Sequence, residues 1–129
     1  MNHTTITVDG AFRSDAFAHG VVARGALLAV AGQLALNEDG STYAPGDLDA
    51  QIAKVWRQVE AVVRTAGGDM GDVVKITSFV TDPDHIGPVV ASRAEVFPGG
   101  QAPASTLVVV AALARPEFLV EIEALAVIP

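Results

Sequence analysis

Ser105-Thr-Leu-Val-Val-Val-Ala-Ala-Leu113 and Leu119-Val-Glu-Ile-Glu-Ala-Leu-Ala-Val127, joined by the turn Ala114-Arg-Pro-Glu-Phe118, decide how this chain folds. The first run is apolar at both alternating sets of positions. A strand whose sheet is covered on each side has this pattern, so the run is expected to be central. In the second run Glu121 and Glu123 share a face with Leu119, Leu125 and Val127, while Val120, Ile122, Ala124 and Ala126 share the other. Carboxylates on a largely apolar face need a reason. Either the strand is an edge or partly exposed one that keeps its acids in water, or one of the two has a chemical task.

Upstream, Val73-Val-Lys-Ile-Thr-Ser-Phe-Val80 is rich in β-branched residues and reads as a strand with Val74, Ile76, Ser78 and Val80 on one face. After Asp82-Pro83 a helix is expected from about His85 to Phe97, with Ile86, Val89, Val90 and Val96 as core contacts and Pro98-Gly99-Gly100 as its stop. Leu48, Ile52, Val55, Val59, Val62 and Ala66 recur every three or four residues, which predicts a helix over 47–66 capped by Asp47 and ended by Gly67-Gly68. Thr4 to Val8 reads as a short strand. Val21-Val22, the connection Ala23-Arg-Gly-Ala26 and the run Leu27 to Leu36 read as a hairpin. Gly32, inside that second arm, marks a bulge or close backbone approach, or simply a packing glycine.

This order of elements predicts an α+β fold in a single domain over residues 1–129, a single mixed sheet with two helices on one face. Two helices cannot cover both faces of strands that are apolar on each side. The other face is therefore expected to pack against copies of the chain in a closed oligomer.

Composition narrows the chemistry. Half the residues are apolar and only 5% aromatic, so the core is aliphatic. The chain has no cysteine, which excludes disulfides, thiolate zinc sites and cysteine nucleophiles and suits a reducing cytoplasm. Fifteen acidic against eight scattered basic residues give a formal charge of −7, which disfavours nucleic acid as a partner. The first residues resemble no signal peptide, and no apolar run approaches the ~20 residues that cross a bilayer, so no membrane partner is expected. His3, His19 and His85 are far apart, so no metal site is expected. Neither a phosphate-cradling glycine loop nor a nucleophile elbow occurs.

Five segments taken together are informative: Ser14-Asp-Ala-Phe-Ala-His-Gly20, Ala31-Gly-Gln33, Gly71-Asp-Val-Val-Lys75, Pro103-Ala-Ser-Thr106 and Val120-Glu-Ile-Glu-Ala124. In this order, and across essentially the whole length, the chain resembles the Rid/YjgF family of reactive intermediate deaminases, also known as L-PSP endoribonucleases. The resemblance implies a chorismate-mutase-like fold, a homotrimer whose sheets form an inner barrel, and small-molecule clefts between subunits. It implies cofactor-free hydrolysis of enamines and imines such as 2-aminoacrylate. By position, it places the family's water-activating glutamate on Glu121, its Gly-Gln on Gly32 and Gln33, and its pocket tyrosine on Phe17.

Other family positions have changed. Ser105 stands where an arginine pairs with the substrate carboxylate, Ala31 where a serine precedes Gly-Gln, and Ala91 where the second helix carries an asparagine. The chain thus resembles a divergent, arginine-lacking branch. Leu107, two residues beyond Ser105, is expected to point into the same cleft. A pocket with these residues is expected to favour a neutral or apolar ligand, unless Arg93 or Arg115 supplies a charge. Two functions compete on these grounds: a Rid-like hydrolase using Glu121, and a non-catalytic trimer that binds a small metabolite.

Overall fold

A computed structural model describes residues 3–97 and 102–129. The strands are β1 (His3–Ile6), β2 (Gly20–Ala23), β3 (Ala26–Gln33), β4 (Val73–Val80), β5 (Ala104–Val109) and β6 (Val120–Ile128); the helices are α1 (Leu48–Thr65) and α2 (Ile86–Val96). The expected stop at Pro98-Gly99-Gly100 lies outside the described residues. Two helices pack on one face of a four-stranded mixed sheet of order β3-β6-β4-β5, so the fold is α+β as expected. β5 runs parallel to β4 and the other neighbours are antiparallel.

Three expectations change. The run beginning at Ser105 is not central: β5 is an edge of the sheet, as β3 is, and β6 and β4 are the strands that lie between two neighbours. Apolarity on both faces reports what covers a strand above and below, not where it stands in the hydrogen-bonding order. In this single chain Val108 and Val109 remain 38% and 42% exposed. Nor do residues 21–36 form a hairpin. β2 pairs with β1 as a separate two-stranded ribbon, and β3 pairs with β6. Gly25, at φ 141°, carries the chain between the two sheets against the end of β6, where an added Cβ would lie 3.0 Å from Val127 Cγ1. Finally, β4 bulges between Val73 and Lys75, so Val73 rather than Val74 is the residue buried beneath the helices.

α1 begins where Asp47 accepts a hydrogen bond from the Ala50 amide (3.1 Å) and ends before Gly67 at φ 91°. Ile52, Val55, Val59 and Val63 form its buried stripe, with Val62 half-buried and Ala66 exposed. Fully burying an aliphatic side chain of this size stabilises by about 1.5–3 kcal/mol. Gln51, wholly buried beside that stripe, donates to Ala44 O (3.1 Å) and Glu117 O (2.8 Å) and accepts from the Leu119 amide (2.9 Å). It thereby fastens the turn before β6 to the start of α1. α2 is held against α1 by Trp56, whose indole N–H donates to Ser92 Oγ (2.8 Å) and whose ring meets Phe97 edge-on. On α2, Val89 is buried but Ile86 is 37% exposed, and Arg93 occupies a buried position instead.

Candidate functional site

β6 alternates as its sequence requires. Val120, Ile122, Ala124 and Ala126 are buried under the helices, and Glu121, Glu123 and Leu125 point to the open face. Register places Phe79 of β4 opposite Glu121, and Thr77 opposite Glu123. On the other side of β6, β3 slips register between Val30 and Gln33, and Gly32 lies within that bulge. A Cβ built on Gly32 would overlap Glu121 Oε2 and sit 2.9 Å from its Cδ. The missing side chain of Gly32 is thus the space the Glu121 carboxylate occupies. Both readings of Gly32, bulge and close approach, hold.

The two glutamates differ in setting. Glu121 is half-buried; burial, and secondarily the Glu123 charge, raise its pKa above the ordinary carboxylate value. Glu123 is exposed. Among the described residues neither carboxylate makes a salt bridge; the ion pairs found there are Arg13–Asp9 and Arg64–Glu60. A half-buried carboxyl with a raised pKa and no cationic partner can exchange a proton with a water or substrate beside it.

The neighbouring positions hold the bulge in place. Gln33 Nε2 donates to Ala31 O (3.1 Å), and Gln58 of α1 donates to Leu34 O (2.6 Å) and, at 3.4 Å, to Gln33 Oε1. Ala31 and Gly32 are exposed. Glu121, Gly32, Ala31 and Gln33 therefore form one group at the β3–β6 boundary.

Phe17, Ser105 and Leu107 lie toward the opposite edge of the sheet. Phe17 is half-buried in an open pocket of about 360 Å³ that also includes Arg13, Asp15 and His19. The Ala18 amide donates to Pro103 O (3.1 Å), which ties this loop to the start of β5. Register aligns Ser105 with Ile76 and Leu107 with Ser78, both buried on the helix-covered side. Ser105 and Leu107 thus share a face, but it is the one opposite Glu121, and Leu107 packs against the core. β4 also separates β5 from β6, a lateral distance of about 10 Å. Within one chain the seven candidate residues do not converge.

The other candidates are distributed differently. His19 Nδ1 accepts from the Val8 amide (2.9 Å) and Nε2 donates to Phe12 O (2.6 Å), so both ring nitrogens are committed to the loop. Arg115 donates to Gly40 O (2.8 Å) and Thr42 Oγ1 (3.3 Å) and lies over the Phe118 ring. Arg93 is 5% exposed, and its Nε and Nη2 have no hydrogen-bond partner among the described residues. The spacing Val89–Arg93–Phe97 on one helix stripe could have signalled that burial, but a charged residue is ordinarily assigned to solvent. Among the described residues no group of three or more potential ligands is placed to hold a metal, and no helix is long and apolar enough to cross a membrane.

The model of the family described as endoribonuclease L-PSP matches residues 11–128. The chain belongs to the Rid/YjgF family. It is similar to the Rid-family protein YyfB of Yersinia pestis, described as of unknown function, at 32% identity over 99% of this chain and 100% of that one, with a TM-score of 0.91. YyfA of the same organism is 29% identical over 98% and 99% of the two chains, with a TM-score of 0.74. Rv2704 of Mycobacterium tuberculosis, a member of the YjgF/YER057c/UK114 family, is 29% identical over 98% and 99%, with a TM-score of 0.68. Rid/YjgF membership supports a role connected with small molecules.

Proposed function

We propose that this Rid/YjgF chain is a cofactor-free hydrolase of small enamines, imines or related metabolites. Its working form is a cytoplasmic homotrimer with ligand clefts between subunits. The observation that carries this reading is the Glu121 carboxylate, seated over the bare backbone of Gly32, half-buried and unpaired, with a raised pKa. Assembly resolves the division of the candidate residues. The Glu121, Gly32, Ala31 and Gln33 group of one subunit faces the Phe17 loop of another, while Ser105 and Leu107 lie beneath that edge on the helix-covered side. Apolar residues left open on the same sheet face as Glu121, including Leu27 at 69% and Leu125 at 39% exposure, favour such association.

In the reaction, Glu121 takes a proton from water as the water oxygen bonds to the imine carbon and the C=N π pair moves to nitrogen. The protonated Glu121 returns that proton to nitrogen to give the carbinolamine; Glu121 then carries the hydroxyl proton to the amino group, and the C–N bond breaks as the oxygen pair forms the carbonyl, releasing ammonia and leaving the carbonyl product. An enamine enters this path after tautomerising to the imine.

A second reading is a non-catalytic metabolite-binding trimer. It is favoured by the neutral Ser105 hydroxyl at the family's arginine position. Freshly generated 2-aminoacrylate distinguishes the two. Catalysis predicts keto acid release above the uncatalysed rate and its loss, by roughly 100-fold or more, in Glu121→Gln. No rate above background, together with a ligand-induced rise in Tm, establishes binding instead.

A further inference from the structure

Among the described residues five buried side-chain atoms lack a hydrogen-bond partner: Ser78 Oγ, His85 Nδ1, Arg93 Nε, Arg93 Nη2 and Ser105 Oγ. All belong to α2, to the residue that precedes it, or to the helix-facing sides of β4 and β5, the two strands that α2 connects. Their distribution on Arg93 is informative. Nε and Nη2 form one edge of the guanidinium, with N–H groups pointing in the same direction. That edge matches the two oxygens of a carboxylate. Burial lowers the Arg93 pKa, since no counter-charge compensates for lost hydration. A buried cation without partners is costly, and chains keep one where something supplies the missing anion.

We propose that Arg93 is an oxyanion-binding residue, whose Nε–Nη2 edge holds the carboxylate of a small-molecule ligand in the layer beneath α2, with the Ser105 hydroxyl as a further donor. The site stands apart from the Glu121 reading, because it is measured by binding without turnover. It also revises the expected ligand. The charge that Ser105 cannot supply comes from Arg93, so a carboxylated ligand is favoured over a neutral one. The same chemistry could come from an acidic side chain of a second copy, and the experiment separates the two sources.

Calorimetric titration of the intact protein with pyruvate and benzoate, and with their neutral amides as controls, tests the site. The wild type is expected to bind at least one carboxylate ten-fold or more tightly than its amide. Arg93→Met should remove that preference, Arg93→Lys should weaken it because the fork is lost, and Ser105→Ala should reduce it least. Without ligand, Arg93→Met should be at least as stable as the wild type, since an unpaired buried charge gives way to an apolar side chain of similar length. A variant that fails to fold would show Arg93 to be paired within the chain and would overturn the proposal. Carboxylate binding unchanged in Arg93→Met, or no carboxylate preference in the wild type, would also overturn it. Loss of oligomeric mass in Arg93→Met by light scattering, with no change in ligand binding, would assign the anion to a second copy instead.

Discussion

Gln51 beneath α1 and Arg93 on α2 are both long polar side chains almost closed off from water, yet their hydrogen bonding is opposite. Gln51 makes three hydrogen bonds, to Ala44, Glu117 and Leu119. Arg93 leaves one whole edge of its guanidinium unbonded. The contrast extends to their layers. Around α1, Trp56 and Gln58 also find acceptors, and none of the unbonded buried atoms among the described residues belongs to α1 or β3. The α1 side is completed by the chain itself. The α2 side, with the adjoining edge strand β5, has polar groups that something outside the chain can complete, so recognition is expected there and structural support beneath α1.

The largest effect expected from this contrast is in Gln51→Leu. The substitution leaves Glu117 O and the Leu119 amide without partners, while Ala44 O keeps the Asp47 amide (3.1 Å); each buried orphan costs about 1–3 kcal/mol, so a loss on the order of 3 kcal/mol is expected in urea unfolding. Ser78→Ala provides the counterpart. It removes a buried hydroxyl that already lacks a partner, and stability should stay within about 1 kcal/mol of the wild type. Equal losses in the two variants would erase the distinction between the layers.

A smaller effect concerns pH. Because Glu121 has a folded-state pKa above its ordinary value, the folded protein holds that proton over a range just above the ordinary carboxylate pKa where the unfolded chain releases it. Stability attributable to Glu121 therefore falls as pH rises through that range. Glu121→Gln should raise Tm modestly at neutral pH and leave it nearly unchanged at pH values below the ordinary carboxylate range. A lower Tm at neutral pH would mean that the ionised carboxylate stabilises the fold, contrary to its unpaired setting.

These layers were unequally legible in the sequence. The α1 stripe and the β6 alternation could be read because their periods, 3.6 and 2, are properties of single elements. The order of strands could not: β5 and β3 carry apolar runs that read as central, yet both are edges because β6 inserts between β3 and β4. Local adjacency suggested that β2 and β3 pair, whereas a long-range partner takes β3. Glu121 and Gly32 were singled out from the chain, but the fit of one into the space left by the other comes from a register shift between two distant strands. Arg93 is named from the sequence as a possible source of charge, but its burial is hidden, since burial of an unpaired guanidinium contradicts the usual pattern that sequence reasoning relies on.

The central claim is that a working cleft takes the Glu121 group from one subunit and the Phe17 loop from another. Complementation tests it most directly. Glu121→Gln disables one half of each cleft, and Phe17→Asp disrupts the other. Each variant alone should release little keto acid from 2-aminoacrylate. Unfolding and refolding the two as an equimolar mixture should restore about a quarter of wild-type activity, the fraction of interfaces that pair two intact halves on random assembly in a closed ring. Mixed oligomers, verified by native mass spectrometry, that show no activity above the separate variants would contradict the shared cleft.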